Sequence, residues 1–173
     1  GRPPARAGFN RSSRRDSVCR KGCDQVKTII PAAGIGTRLR PHTHSLPKAL
    51  LYVAGRPIIS HILEDVRKIG ASSVVLIGGY KGELIREYVE SEYRDLKAEF
   101  VVQEERLGIG HAVNLTRKVA DTGEPALIIL GDTILRTDLA EVVASRTNVL
   151  GVKEVEDPRR FGVCEVRGKK ILK

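Results

Sequence analysis

From Lys27 onward, unbroken apolar runs alternate with segments whose apolar residues recur every three or four positions. The runs 27–32, 73–78, 98–103, 126–130 and 148–155 are rich in Val, Ile or Leu and predict strands. Between them, residues 57–69 put Ile58, Ile59, Ile62, Leu63, Val66 and Ile69 on one helical face, with Gly70 as a stop. Residues 82–92 offer Leu84, Ile85, Tyr88 and Val89, and residues 110–120 offer Ala112, Val113, Leu115 and Val119. A fourth helix, 138–145, opens at Thr137 and Asp138, both suited to capping. Strands that alternate with helices predict parallel pairing through right-handed crossovers. Runs that stay apolar throughout predict a sheet covered on both faces. The fold class expected is α/β: a three-layer, Rossmann-like domain with a mostly parallel sheet and ligand bound beyond the carboxyl ends of its strands. Further on, Phe161–Val166, Gly168 and Ile171–Leu172 have the pattern of a hairpin lacking its return partner.

Composition narrows the class. Hydrophobic residues make up 41% of the 173 and charged residues 29%, ordinary for a soluble globular protein. The longest aliphatic run, Ala126–Leu130, is far short of the ~20 residues that span a bilayer. Without a secretory pattern, and with only Cys19, Cys23 and Cys164, a disulfide framework is not expected and a cytoplasmic location is. The C-x3-C spacing of Cys19 and Cys23, with no His nearby, is weak as a metal site.

The net charge of +9 is unevenly placed. Residues 1–26 carry seven basic and two acidic groups, against 23 and 19 in the remainder. This divides the chain into a basic leader, 1–25, with few large apolar residues to pack, and a folded domain, 26–173. A basic tail also suits nucleic acid or an acidic membrane. With aromatic residues at 4%, few stacking platforms exist for single strands, and nucleic acid ranks last among the partners.

The chemistry concentrates in VKTIIPAAGIGTRLRPHTHSLPKAL, residues 26–50. A strand running into Ala33-Gly34-Ile35-Gly36-Thr37 lets backbone N–H groups approach an anion with no Cβ in the way. Arg38 and Lys48 add a planar fork and a compact point charge. Together they suit a polyphosphate, above all a nucleoside triphosphate. The alternative is a tight turn beside a solvated basic patch. A dinucleotide fingerprint fails because no third glycine follows, and no window supplies a P-loop. Asp132, ending ALIILGD, is a carboxylate at a predicted strand end and is placed to hold Mg²⁺, with a turn cap as its other role. Gln103 presents a donor and an acceptor suited to a base edge, and Gly108 lets a flat ring lie close to the backbone. The competing reading is an ordinary loop into a helix. His42, His44 and His111 make no catalytic or metal constellation, and Cys164 falls in a predicted strand.

The pattern G-x-G-T-R-L-x-P-x-T-x-x-x-P-K-x-L, carried by Gly34, Gly36, Thr37, Arg38, Leu39, Pro41, Thr43, Pro47, Lys48 and Leu50, resembles the signature of the sugar-phosphate nucleotidyltransferases. The resemblance runs from about Lys27 to Lys173 and is nearer to glucose-1-phosphate thymidylyl- and uridylyltransferases than to guanylyltransferases. It implies an Mg²⁺-dependent reaction of an NTP with a sugar-1-phosphate to give NDP-sugar and pyrophosphate. It implies Arg38 and Lys48 as catalytic residues, with Ala33, Gly34, Gly36, Thr37, Arg38, Gln103 and Gly108 on the nucleotide. Asp132 would be the metal ligand and Gly162, within D-P-x-x-F-G-V, a sugar contact. The family continues with a Glu-Lys-Pro segment, sugar-binding strands and a second metal-binding aspartate. The expectation is therefore a nucleotide-binding half, incomplete at its C-terminus. Mannose-1-phosphate guanylyl transfer and a non-catalytic nucleotidyltransferase-like module, as in translation-factor subunits, are the alternatives. The intact Gly34, Gly36, Arg38, Lys48 and Asp132 favour an enzyme. Homo-oligomerisation stays open.

Overall fold

A computed structural model describes residues 26–34, 36, 42–121, 123–168 and 170–172. The leader 1–25, Thr37 and Arg38 lie outside the described residues. Strand β1 (Lys27–Pro31) leads through short 3-10 turns, His42–His44 and Lys48–Leu50, to a small hairpin, β2 (Tyr52–Val53) and β3 (Arg56–Pro57). Helix α1 (Ile58–Lys68), β4 (Ser73–Gly78), α2 (Gly82–Glu92) and β5 (Lys97–Val102) follow. Then come α3 (Ile109–Leu115), α4 (Arg117–Ala120), β6 (Ala126–Ile128) and α5 (Leu139–Val143). A distal hairpin pairs β7 (Val166–Arg167) with β8 (Lys170–Ile171).

The main sheet has four strands in the order β5-β4-β1-β6, every pair parallel. β1 is bonded on both sides, with Ile29 beside Val75 of β4 and Ile128 of β6. Successive side chains of a strand point to opposite faces, and here both faces are covered. Ile30, Val74 and Leu76 pack with Ile59, Leu63 and Ile85 of α1 and α2. Ile29, Val75 and Ile77 pack with Ala112 of α3. The three-layer α/β arrangement expected from the apolar runs is the one observed.

Local chemistry sets the helix limits. The buried stripe of α1 is Ile58, Ile59, Ile62, Leu63 and Val66, and Gly70 ends the helix at φ +77°. Asp138 caps α5 by accepting a 2.9 Å hydrogen bond from the Ala140 N–H. The helix expected over 110–120 is two helices, broken at Thr116. That buried hydroxyl donates to the Val113 carbonyl at 2.7 Å, a local bond that competes with a continuing helix.

The strand expected over 148–155 is not one. Val149, Leu150 and Val152 are exposed, and the segment joins no ladder among the described residues. Apolar, β-branched composition suits a strand but supplies no backbone partner. No described helix is long and apolar enough to cross a membrane.

Ile59 is wholly buried between α1 and the sheet. Ile59→Ala should therefore lower unfolding free energy by about 2–5 kcal/mol. Val149→Ala, in exposed coil, should change it by less than ~0.5 kcal/mol. Urea denaturation of both variants checks this, and equal losses would contradict the coil at 148–155.

Candidate nucleotide-binding cleft

Parallel strands deliver their carboxyl ends to one edge of the sheet, so the loops after β1, β5 and β6 meet there. The Ala32 N–H donates to the Ile77 carbonyl at 2.8 Å, and the Gly131 N–H to the Pro31 carbonyl at 2.9 Å. The chain leaving β1 is thereby held between β4 and the end of β6. A Cβ on Gly131 would lie 2.8 Å from Ala32 Cβ and 2.9 Å from the Pro31 oxygen, so only hydrogen fits.

The turn after β1 is tight for a second reason. Gly36 has φ +65°, and a Cβ there would sit 3.0 Å from Thr43 Cγ2 and 3.2 Å from Lys48 Cβ. Thr43 is buried, and its Oγ1 donates to the Gly36 carbonyl at 2.9 Å. A left-handed backbone and a crowded approach both select glycine. The segment 42–48 is folded back against Gly36, which brings Lys48 to the sheet edge.

These loops enclose a cleft of about 280 Å³. Ala33, Gly34, Lys48, Gln103, Gly108 and Asp132 line it, so the structure brings six of the sequence-predicted site residues together. Gly36 stands behind this lining, against Thr43 and Lys48. Thr37 and Arg38 lie outside the described residues. Gly162 is not among the lining residues. It is exposed in coil after the 3-10 turn Pro158–Arg160, in a stretch with no ladder to the main sheet. In that turn Asp157 accepts from the Arg159 backbone at 3.2 Å and pairs with its guanidinium at 2.7 and 2.8 Å. Those bonds hold the Asp157 carboxyl below the usual carboxylate range.

Two groups in the cleft are preset. Gln103 is buried, and its Nε2 lies 3.2 Å from the Gly108 carbonyl and 3.2 Å from His111 Nδ1. A carbonyl can only accept, so the Gln103 nitrogen must face Gly108. His111 then accepts at Nδ1 and carries its proton on Nε2 in the neutral ring. The Gln103 carbonyl oxygen has no partner among the described residues. Lys48 Nζ meets Asp132 Oδ2 at 2.6 Å, with the two side chains 31% and 45% exposed. A pair this accessible contributes at most about 1 kcal/mol, so either partner can be taken over by a stronger ligand.

Among the described residues Asp132 is the lone carboxylate lining the cleft, and no cluster of three or more His, Cys, Asp or Glu could hold a metal. One hard oxygen donor is too little for an all-protein cage. It fits a cation that arrives with phosphate oxygens and keeps its water, as Mg²⁺ does. Sequence reasoning assigned no role to Thr43 as the prop of Gly36, to His111 as the partner of Gln103, or to Arg106 in the lining. Thr43 stood in the signature, whereas the eight-residue separation of Gln103 and His111 carried no signal.

Comparison with known proteins gives the family. The nucleotidyl transferase family model matches residues 27–173, and the chain belongs to that family. The chain is 34% identical over 146 residues to the UTP–glucose-1-phosphate uridylyltransferase AglF of Haloferax volcanii, covering 80% of this chain and 59% of that protein. It is 30% identical over 142 residues to the D-glycero-alpha-D-manno-heptose 1-phosphate guanylyltransferase of Campylobacter jejuni, covering 82% and 63%. Among solved structures, a Bacillus anthracis protein assigned as a glucose-1-phosphate thymidylyltransferase, in complex with sucrose, superposes with a TM-score of 0.72 at 29% identity. That match covers 85% of this chain and 62% of the other. The chain thus spans about three fifths of each of these proteins.

Gly131→Ala should push the end of β6 off β1 and cost about 1–3 kcal/mol of stability. Gly34→Ala should cost less than ~1 kcal/mol, since nothing lies within 4 Å of its Cβ direction. Paired denaturation curves check the contrast.

Proposed function

We propose that this chain binds a nucleoside triphosphate in the cleft, as the nucleotide half of a sugar-1-phosphate nucleotidyltransferase. The observation that carries it is the convergence of the glycine turn after β1, Lys48, Gln103 with Gly108, and Asp132 on one cleft. The reaction is NTP plus sugar-1-phosphate giving NDP-sugar and pyrophosphate. A sugar phosphate oxygen attacks the α-phosphorus in line, and the bond to the β-phosphate oxygen breaks. Because the nucleophile is already anionic, no general base is needed. Catalysis is positioning and charge neutralisation.

Each residue then has one task. The amides around Gly34 and Gly36, with Thr37 and Arg38, hold the departing phosphates. Lys48 neutralises charge near the α-phosphate, Gly108 leaves room for the base, and Asp132 is the ligand for Mg²⁺. Bound Mg²⁺ supplies charge neutralisation at the reacting phosphate oxygens. Asp132 is paired with Lys48, and its carboxylate would leave that accessible pair to serve as a metal ligand.

Gln103 offers the base one contact. With its nitrogen committed to Gly108 and His111, it has its oxygen left to accept a hydrogen bond. Uracil and thymine can meet that oxygen through ring N3–H and guanine through N1–H, and the exocyclic amino groups of cytosine and adenine can meet it too. This oxygen therefore does not by itself choose the base. Thymidylyl or uridylyl transfer to glucose-1-phosphate is the favoured pairing, supported by the wording of the Leu107–Ala112 loop and by the uridylyl- and thymidylyltransferases above. Guanylyl transfer to a sugar-1-phosphate is the second reading, favoured by the resemblance to the heptose 1-phosphate guanylyltransferase.

Calorimetric titration with dTTP, UTP, GTP, CTP and ATP in Mg²⁺, followed by a pyrophosphate assay with glucose-1-phosphate, tests this. dTTP or UTP should bind more tightly than CTP and ATP, with GTP the preferred ligand under the second reading. No binding by any of them would overturn the proposal. Where turnover is measurable, Arg38→Ala and Lys48→Ala should each lower kcat/KM by about tenfold or more. Without nucleotide, Lys48→Met should tighten Mn²⁺ binding by up to about fivefold, since it removes the competing cation from Asp132. Mn²⁺ titration by electron paramagnetic resonance reads this independently of activity.

A further inference from the structure

Between β4 and α2 the chain does something costly. Lys81 sits at φ +53° and ψ +35°, one of two described non-glycine residues in the left-handed region, and it begins α2 without a side-chain cap. Glycine would fit that backbone freely, and a lysine there is strained. Strain of this kind persists where the surroundings fix it, and it gathers at functional sites. The side chain shows what is gained. Lys81 Nζ donates to the backbone carbonyls of His44 at 2.8 Å and Ser45 at 3.0 Å. The neighbouring Tyr80 hydroxyl donates to the same His44 oxygen at 3.2 Å. Its ring lies under the ammonium, 5.5 Å from centroid to Nζ.

The segment so gripped joins two parts of the proposed phosphate site. On one side Thr43 holds the Gly36 carbonyl, and on the other Pro47 leads into Lys48. His44 and Ser45 are exposed, with no apolar side chain to anchor them. A charge-assisted bond to two successive carbonyls fixes such a stretch where packing cannot. From these contacts we infer that Lys81 is a positioning residue for nucleotide binding. Its ammonium clamps residues 44–45 so that Gly36 and Lys48 face the phosphates together. The clamp stands on these contacts alone. Its effect on affinity rests on the nucleotide-binding reading above.

Lys81→Gly separates this from a merely structural role, because it removes the ammonium and relieves the backbone at once. The melting temperature should hold or rise. In the ligand-free chain, amide hydrogen exchange at residues 43–46 should quicken about tenfold while the α1 amides stay unchanged. The Kd for dTTP or UTP with Mg²⁺ should weaken about tenfold, and Lys81→Arg, which keeps a cation, should recover most of both effects. Unchanged exchange at 43–46 overturns the clamp. Faster exchange with unchanged Kd in a chain that binds nucleotide overturns its role in binding. Should either variant melt well below wild type, with the α1 amides also exposed, Lys81 is a structural residue and the inference fails. If wild type binds no nucleotide, the nucleotide reading fails with the affinity part, and the exchange comparison still decides the clamp.

Discussion

The pairing of β1 on both of its edges is the constraint from which the site follows. Thr28 to Pro31 pair with β4, and Lys27 to Ile29 pair with β6. A strand bonded on both sides and buried on both faces has no freedom of register, since a one-residue slip would exchange its two sets of side chains. One cost is visible: the Thr28 hydroxyl is buried without a hydrogen-bond partner among the described residues. The benefit is that the chain emerging at Ala32 has a fixed position and direction. Gly131 is pressed against it so closely that Asp132 cannot move independently of the turn at Ala33.

Rigid roots with weakly held tips would suit the proposed site, whose ligand is highly charged. The hydrophobic contacts lie below the sheet edge, in the layers around Ile29 and Ile30. Above it the joining interactions are polar and accessible, such as Lys48 with Asp132 and Lys81 with two carbonyls. An exposed ion pair is easily exchanged, whereas a buried one would resist separation. The accessible pair leaves Lys48 and Asp132 near their proposed partners with little energy to overcome.

How much of this was legible depended on whether the information was local. The stripe Ile58–Val66 and the exact agreement of α2 with 82–92 come from periodicity, which each helix carries within itself. Asp138 as a cap is equally local. Residues 148–155 show the limit, because a strand needs a partner and their composition does not name one. The break at Thr116 turns on whether one hydroxyl bonds backward, which spacing does not reveal. In the site, Gly34, Lys48 and Asp132 were found because charge and glycine mark phosphate chemistry, and the parallel fold did the gathering. Gly162 could not be placed in the same way, because its segment has no ladder to the sheet that aligns the rest. Lys81 stayed hidden because a lysine at the start of a helix normally signals nothing. Its meaning lies in a φ angle and in two carbonyls more than thirty residues away.

Selection of the base must come from something other than Gln103. One acceptor oxygen can be met by a ring N–H or by an exocyclic amino group, so it does not tell the bases apart. Thymine and uracil differ by a methyl group, and an apolar pocket discriminates that by only about 1–3 kcal/mol. Guanine differs by an additional ring and needs volume. The cleft of about 280 Å³ meets its apolar boundary at Ile109, Ala112 and Leu130, and Ala112 is the small, buried member. Ala112 also packs against Ile29, Val75 and Ile77, so a larger residue there would press on the sheet as well as on the cleft. Size and pairing are thus set by different side chains on the same loop-to-helix junction. In the proposed site, that division would leave the choice between pyrimidine and purine to the apolar wall.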